Sequence, residues 1–167
     1  MFCQGSNGGA RVQHKGKTVR AVVQRVKESA VSVAGREVGR IGAGFLVFLG
    51  VAADDADEDL DYLVSKIVHL RAFEDADGKM NRGLHDAGGE MLVVSQFTLL
   101  ADCRKGRRPS FTDAAPPDIA KSYYNEFIAR VQQHGIRVAT GIFQAKMEVF
   151  IVNDGPVTFL LDSKKLF

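Results

Sequence analysis

Cysteine is scarce in this chain of 167 residues, which has only Cys3 and Cys103. They form no C-x-x-C and no disulfide framework, so a reducing cytoplasm is the expected compartment. No apolar run approaches the roughly 20 residues needed to span a membrane, and no membrane partner is expected. The histidines His14, His69, His85 and His134 lack metal-ligand spacing. Ser95 stands outside any G-x-S-x-G elbow. Gly42-x-Gly44 precedes a strand-like run and has no third glycine, so it is no dinucleotide fingerprint. The acidic turn at 74–79 lacks the glycine order of a calcium loop. No metal and no other cofactor is expected. An excess of charge is missing too. The formal charge is +2, but with Arg11, Lys15 and Lys17 set aside the 22 basic residues fall to 19 against 20 acidic ones, net −1. A polyanion partner must therefore be held by a local patch.

Those three cations belong to residues 1–18, a Gly-, Gln-, Ser- and Asn-rich stretch with no periodicity and no acid. It lacks the apolar core of a secretory signal and is expected to be a disordered or non-native N-terminal extension, with the domain occupying 19–167. Within the domain, β-branched spacing predicts strands over 19–26 and 29–33, joined as a hairpin across Lys27-Glu28, and a weaker strand over 37–41. The unbroken apolar run 45–51 predicts a fully buried central strand. Leu60, Leu63, Val64, Ile67 and Val68 recur at helical spacing and predict a helix over 54–71, with acids crowding its first turn. A strand follows over 90–100. Pro117 opens a second helix with Ala120, Tyr123, Phe127, Ile128 and Val131 as its expected buried stripe, stopped at Gly135. Strands at 136–139, 147–152 and 157–161 complete the chain. Two main helices against about eight strands, with no linker or repeat, predict a single-domain α/β protein built of layered sheets.

Three stretches carry candidate chemistry. Asn153-Asp154-Gly155-Pro156-Val157-Thr158 reads as a turn between strands, with bare backbone beside a proline whose peptide bond can be cis at low cost. Ser95-Gln96-Phe97-Thr98 places hydroxyl and amide groups at a strand end, where they either line a site or satisfy local backbone. Thr98 would be a nucleophile only with a base nearby, and none is in view. The loop 101–117 brings Arg104, Lys105, Arg107 and Arg108 together with Gly, Ser and Thr, which suits phosphate contacts or a solvated loop equally.

Five segments, Val22-Val23-Gln24-Arg25-Val26, Gly78-Lys79-Met80-Asn81, Gly88-Gly89 through Leu99, Gly106-Arg107-Arg108-Pro109-Ser110-Phe111 and Val152 through Thr158, closely resemble the D-aminoacyl-tRNA deacylases in order and without large gaps. The resemblance implies a three-layer β/β/α sandwich. It implies a homodimer with active sites at the subunit interface, hydrolysing the ester between a D-amino acid, or glycine, and tRNA. Gly155-Pro156, with the proline cis, would enter the partner's pocket and reject L side chains by collision with backbone, braced by Arg25. Ser95, Gln96 and Met147 would line the pocket. The backbone N–H groups of Phe97 and Thr98 would stabilise the oxyanion, with a ribose 2′-OH of the tRNA, rather than Thr98, activating water. Arg104, Lys105, Arg107 and Arg108 would hold the tRNA. Two residues depart from the family pattern. Leu100 replaces a common aromatic and should alter packing only, whereas Gln144 replaces a glycine at a tight turn on the pocket wall. The alternative is a non-catalytic nucleic-acid-binding protein of the same fold.

Overall fold

The computed structural model describes residues 19–165; the expected extension 1–18 lies outside the described residues. The longest run of β-branched residues forms one strand, β1 (Arg20–Val33). The expected hairpin at Lys27-Glu28 is absent, because neither residue supplies the positive φ that a tight reversal needs. The chain turns instead at Ala34-Gly35, with φ of 50° and 76°, and returns as β2 (Arg36–Ile41). There follow β3 (Gly44–Gly50), α1 (Asp57–Val68), the short pair β4 (Phe73–Glu74) and β5 (Met80–Arg82), and β6 (Glu90–Ser95). A 3₁₀ turn (Phe97–Leu100), α2 (Pro117–Gln133), β7 (Val138–Thr140) and β8 (Met147–Asp162) complete the order. The strand expected over 90–100 thus stops at Ser95. The two strands expected at 147–152 and 157–161 are one continuous element.

The main sheet runs β2-β1-β3-β6-β7, with β8 antiparallel along the length of β1. β3, β6 and β7 are mutually parallel. The sheet curls until β2 lies over β7: a Cβ on Gly39 would stand 2.5 Å from the carbonyl oxygen of Thr140. Side-chain alternation then sorts the apolar runs into two cores. Phe45, Val47, Leu49, Met91 and Val93 face α1 and α2, whereas Leu46, Leu92 and Val94 pack inside the curl with Val26, Val31 and Ile41. Burial on both faces explains why β3 and β6 read as unbroken apolar runs. Among the described residues the result is an α/β fold of eight strands and two helices, with two β layers and one helical layer.

The buried stripe of α2 is rotated from expectation. Tyr124, Phe127 and Val131 are buried, while Ala120, Tyr123 and Ile128 are half-buried. Tyr124 can point inward because its hydroxyl donates to the carbonyl of Val93 at 2.8 Å; burial pushes its pKa up to about 12. Pattern alone counts tyrosine as half-polar, but a satisfied hydroxyl makes it core.

Ahead of α1, Asp55 accepts a hydrogen bond from the Ala52 N–H at 2.5 Å through Oδ2, but its Oδ1 is buried without a partner among the described residues. Burial, and then the charges of Asp59 and Asp54, push this carboxyl up to about 7, against the opposing pull of Lys164. The unfolded chain loses this proton near the ordinary aspartate value, whereas the folded chain keeps it to about 7. The native state therefore binds more protons across that window, so stability falls as pH rises through it, and the full penalty is present above it. Asp55→Asn is expected to stabilise the protein by about 1–2 kcal/mol at pH 8.5, less than the full linkage value because the carboxyl is partly solvent-exposed, and by about zero at pH 4. Urea unfolding of both proteins at each pH measures the difference. An equal effect at the two pH values would refute the assignment.

Candidate active site

Ser95 ends β6 beside the end of its parallel neighbour β3, and the chain then tightens into the 3₁₀ turn. Crevices at the carboxyl ends of parallel strands are open to ligands because the connecting loops diverge there. Here a groove of about 590 Å³ is lined by Ser95, Gln96 and Phe97, by Ala114, Ala115 and Ala120 before and within α2, and by Phe143, Gln144 and Met147 before and at the start of β8. Three residues adjacent in sequence and Met147, far from them in the chain, thus share one cavity. Thr98 does not line it but follows immediately.

The Gln96 N–H donates to the carbonyl of Leu49 at 2.8 Å. A Cβ on Gly50 would lie 2.9 Å from the Gln96 oxygen and 2.6 Å from Leu100 Cδ2, so that position has no room for a side chain. Leu100 is buried, as a packing role requires. In the 3₁₀ turn the first intrahelical bond runs from the Leu99 N–H to the Gln96 carbonyl at 3.2 Å, which leaves the N–H groups of Phe97 and Thr98 without an intrahelical acceptor. Thr98 Oγ1 accepts a hydrogen bond from the Gln96 amide; no histidine or carboxylate is its hydrogen-bond partner among the described residues. The arrangement offers backbone donors and no activated nucleophile. Gln144 adopts φ of 65° in a turn closed by the Ala145 N–H on the Ile142 carbonyl at 3.1 Å, a position where glycine is the ordinary choice.

Gly155 and Pro156 are exposed and lie outside this groove. Contrary to the sequence reading, they form no turn between two strands. β8 pairs with β1 on both sides of them, Gln24 opposite Thr158 and Val26 opposite Asn153. One residue of β1, Arg25, thus faces four of β8, residues 154–157, which bulge from the ladder. The Gly155–Pro156 bond is cis and Gly155 has φ of 128°. Arg25 is 5% exposed. Its Nε donates to the Asp154 carbonyl at 3.2 Å and lies 3.2 Å from Asp154 Oδ2. Its Nη1 donates to the carbonyl of Ala72 at 2.7 Å, and its Nη2 stands 3.6 Å from Glu74. Asn153 clasps the bulge from the other end: its Oδ1 accepts from the Val157 N–H at 2.8 Å and its Nδ2 donates to the Val157 carbonyl at 3.2 Å.

The basic loop is pinned at its base, where Asp102 and Ser110 exchange backbone hydrogen bonds at 2.7 and 3.0 Å. Phe111 packs edge-on against Phe97, centroids 5.0 Å apart, which ties the loop to the groove. Arg104 pairs with Asp102 at 2.6 Å and holds that carboxyl well below the usual carboxylate range. Lys105, Arg107 and Arg108 are exposed and form no ion pair among the described residues. The four cations singled out from sequence therefore divide into one internally paired and three facing solvent. Sequence reasoning missed the Asn153 clasp and the Phe97–Phe111 contact. The asparagine was visible in the motif, but its partner emerges only once the bulge is known.

The family described as D-Tyr-tRNA(Tyr) deacylase matches residues 22–162. Proteins named D-aminoacyl-tRNA deacylase from Thermosipho africanus and Desulfotalea psychrophila are each 58% identical over 149 residues, 89% of this chain and 100% of theirs. Among solved structures, a c-Myc DNA Unwinding Element Binding Protein is 41% identical with a TM-score of 0.80, covering 85% of this chain and 97% of that one. A probable eukaryotic D-amino acid tRNA deacylase, at 21% identity and a TM-score of 0.77, shares the fold over 87% of this chain and 99% of its own. With a family match across nearly all the described residues and relatives matched over their whole length, the chain belongs to the D-Tyr-tRNA(Tyr) deacylase family.

Proposed function

We propose that this protein hydrolyses the ester bond of D-aminoacyl-tRNA, and of mischarged glycyl-tRNA, releasing the free amino acid and tRNA in the cytoplasm. The observation that carries the reading is the pair of backbone N–H groups at Phe97 and Thr98 beside the groove of Ser95, Gln96 and Met147. Water attacks the ester carbonyl, the carbonyl oxygen becomes an oxyanion, and these donors stabilise it without reorganisation. With no side-chain base paired to Thr98, the vicinal 2′-OH of the terminal ribose activates the water, and the ribose oxygen departs with a proton. Handedness is set by Gly155-Pro156, whose exposed backbone turns away L side chains and tolerates glycine, which has none.

Because Gly155-Pro156 does not line the groove of its own subunit, it serves the groove of a second copy in a homodimer. β8 supports that assembly. It pairs only with β1 among the described strands, and it carries Phe150, Ile151 and Leu160 exposed, an apolar edge that a monomer ordinarily covers. No helix among the described residues is long and apolar enough to cross a membrane. A second reading is nucleic-acid binding without catalysis; the name of the 41%-identical relative, a DNA-element binding protein, supports its binding part alone. Deacylation of D-tyrosyl-tRNA and L-tyrosyl-tRNA by the full chain separates the two. Preferential release of D-tyrosine is expected. Retention of tRNA without turnover of either ester would establish the second reading instead.

A further inference from the structure

We propose that Asn153 is a positioning residue for the selection of D over L substrates, holding Gly155-Pro156 through a clasp separate from that of Arg25. The inference rests on the chiral role given above to Gly155-Pro156. Arg25 opposes all of residues 154–157, so within the bulge the regular ladder has lapsed and side chains must fix the backbone. Asn153 does this with both ends of one amide. Its oxygen accepts from the Val157 N–H at 2.8 Å, and its nitrogen donates to the Val157 carbonyl at 3.2 Å and lies 3.4 Å from Thr158 Oγ1. Only a primary amide supplies a donor and an acceptor side by side in this way. Aspartate keeps the acceptor and loses the donor, and alanine loses both.

The two clasps are tied to opposite faces of β1. Gln24 and Arg25 are neighbours, so their side chains diverge. Arg25 reaches Asp154 and Ala72 on one side. Gln24 donates to Thr158 Oγ1 at 3.1 Å on the other, extending the Asn153 clasp back to β1. Residues 155 and 156 hang between these anchors. If the Asn153 anchor is cut, Val157 loses both local partners while Arg25 still holds Asp154 and the ladder still holds Thr158, so the backbone between those two points gains freedom to yield. A filter that works by collision loses its discrimination when its backbone can yield. Asn153 does not line the groove of Ser95 and Met147, so its loss acts on rejection of the wrong hand before it acts on the chemistry.

The test measures kcat/KM of the purified full chain on D-tyrosyl-tRNA and L-tyrosyl-tRNA for wild type, Asn153→Asp, Asn153→Ala and Thr158→Val. The D-over-L ratio should fall about tenfold for each Asn153 variant, chiefly through faster turnover of the L ester, and about threefold for Thr158→Val, in line with the worth of one or two hydrogen bonds. General damage to the fold lowers both rates together and leaves the ratio alone. A wild type that prefers D, with Asn153 variants of unchanged ratio, overturns the inference and spares the reading beneath it; a wild type without preference overturns both. If the Asn153 variants show no cooperative melting transition, Thr158→Val decides: an unchanged ratio overturns the inference and a lowered one supports it.

Discussion

Arg25→Ala is expected to erase the preference for D-tyrosyl-tRNA over its L counterpart and to lower stability by about 2–4 kcal/mol. The guanidinium serves acceptors from two separate segments, the carbonyl of Ala72 before β4 and the carbonyl and carboxylate of Asp154 in the bulge. The bond to Ala72 is fully buried, so truncation leaves a carbonyl with no donor in an apolar setting, the costly kind of deletion. The ionic part contributes less, since the Asp154 side chain is 37% exposed and that of Glu74 56%, and water takes over much of their solvation. Arg25→Lys should recover part of the stability and little of the selectivity. A single ammonium keeps the charge but lacks the rigid fork that addresses divergent acceptors at once. Urea unfolding gives the first quantity, and the ratio of the two deacylation rates the second. A folded Arg25→Ala protein with wild-type selectivity would remove this brace from the mechanism.

The parts of this fold that were legible in the sequence are those whose causes are local or periodic. Helix α1 declared itself through Leu60, Leu63, Val64, Ile67 and Val68, all of which are buried. The acids ahead of it explain the overlong expected start: Asp54 and Asp55 precede the helix, and Asp59 reaches back to the Ala56 N–H at 3.1 Å. Strands β3 and β6 were legible because burial on both faces leaves no polar interruption. β1 was misread because Lys27-Glu28 looked like a break, whereas an exposed stretch of a long strand carries the same polar residues. β8 was misread for the opposite reason. Its Asn-Asp-Gly-Pro is ordinary turn chemistry, and only pairing with β1 on both sides reveals a bulge. Within the site, Ser95, Gln96 and Phe97 could be singled out as polar and aromatic groups at a strand end. That Met147 joins them depends on the β7–β8 connection returning to the end of β6, a long-range fact that no local pattern encodes. Likewise the basic loop was visible as composition, but the pairing of Arg104 with Asp102 was not.

That pairing decides what the loop variants should do. Replacing Lys105, Arg107 and Arg108 together by glutamine is expected to weaken tRNA binding about 100-fold near physiological salt, because each phosphate contact releases about 0.7–0.9 of a counterion. For the same reason the slope of log K against log salt should become shallower by about 2–3. Arg104→Gln should do far less. Its guanidinium already donates to both oxygens of Asp102, so a phosphate would have to displace a charge-assisted fork that is already made. Removing Arg104 also releases the Asp102 carboxylate, which then repels the backbone of the nucleic acid, so whatever loss appears should be recovered in Arg104→Gln/Asp102→Asn. Titration of fluorescently labelled, uncharged tRNA over a range of salt concentrations measures both affinity and slope. Phe97 and Phe111 join the loop to the groove, so under the proposed function the cations would fix where the acceptor end arrives while the Phe97 and Thr98 amides would act on what it carries. The triple variant should therefore raise KM for D-tyrosyl-tRNA and leave kcat near the wild-type value. A fall in kcat with unchanged KM would place these cations in the chemical step instead of in binding.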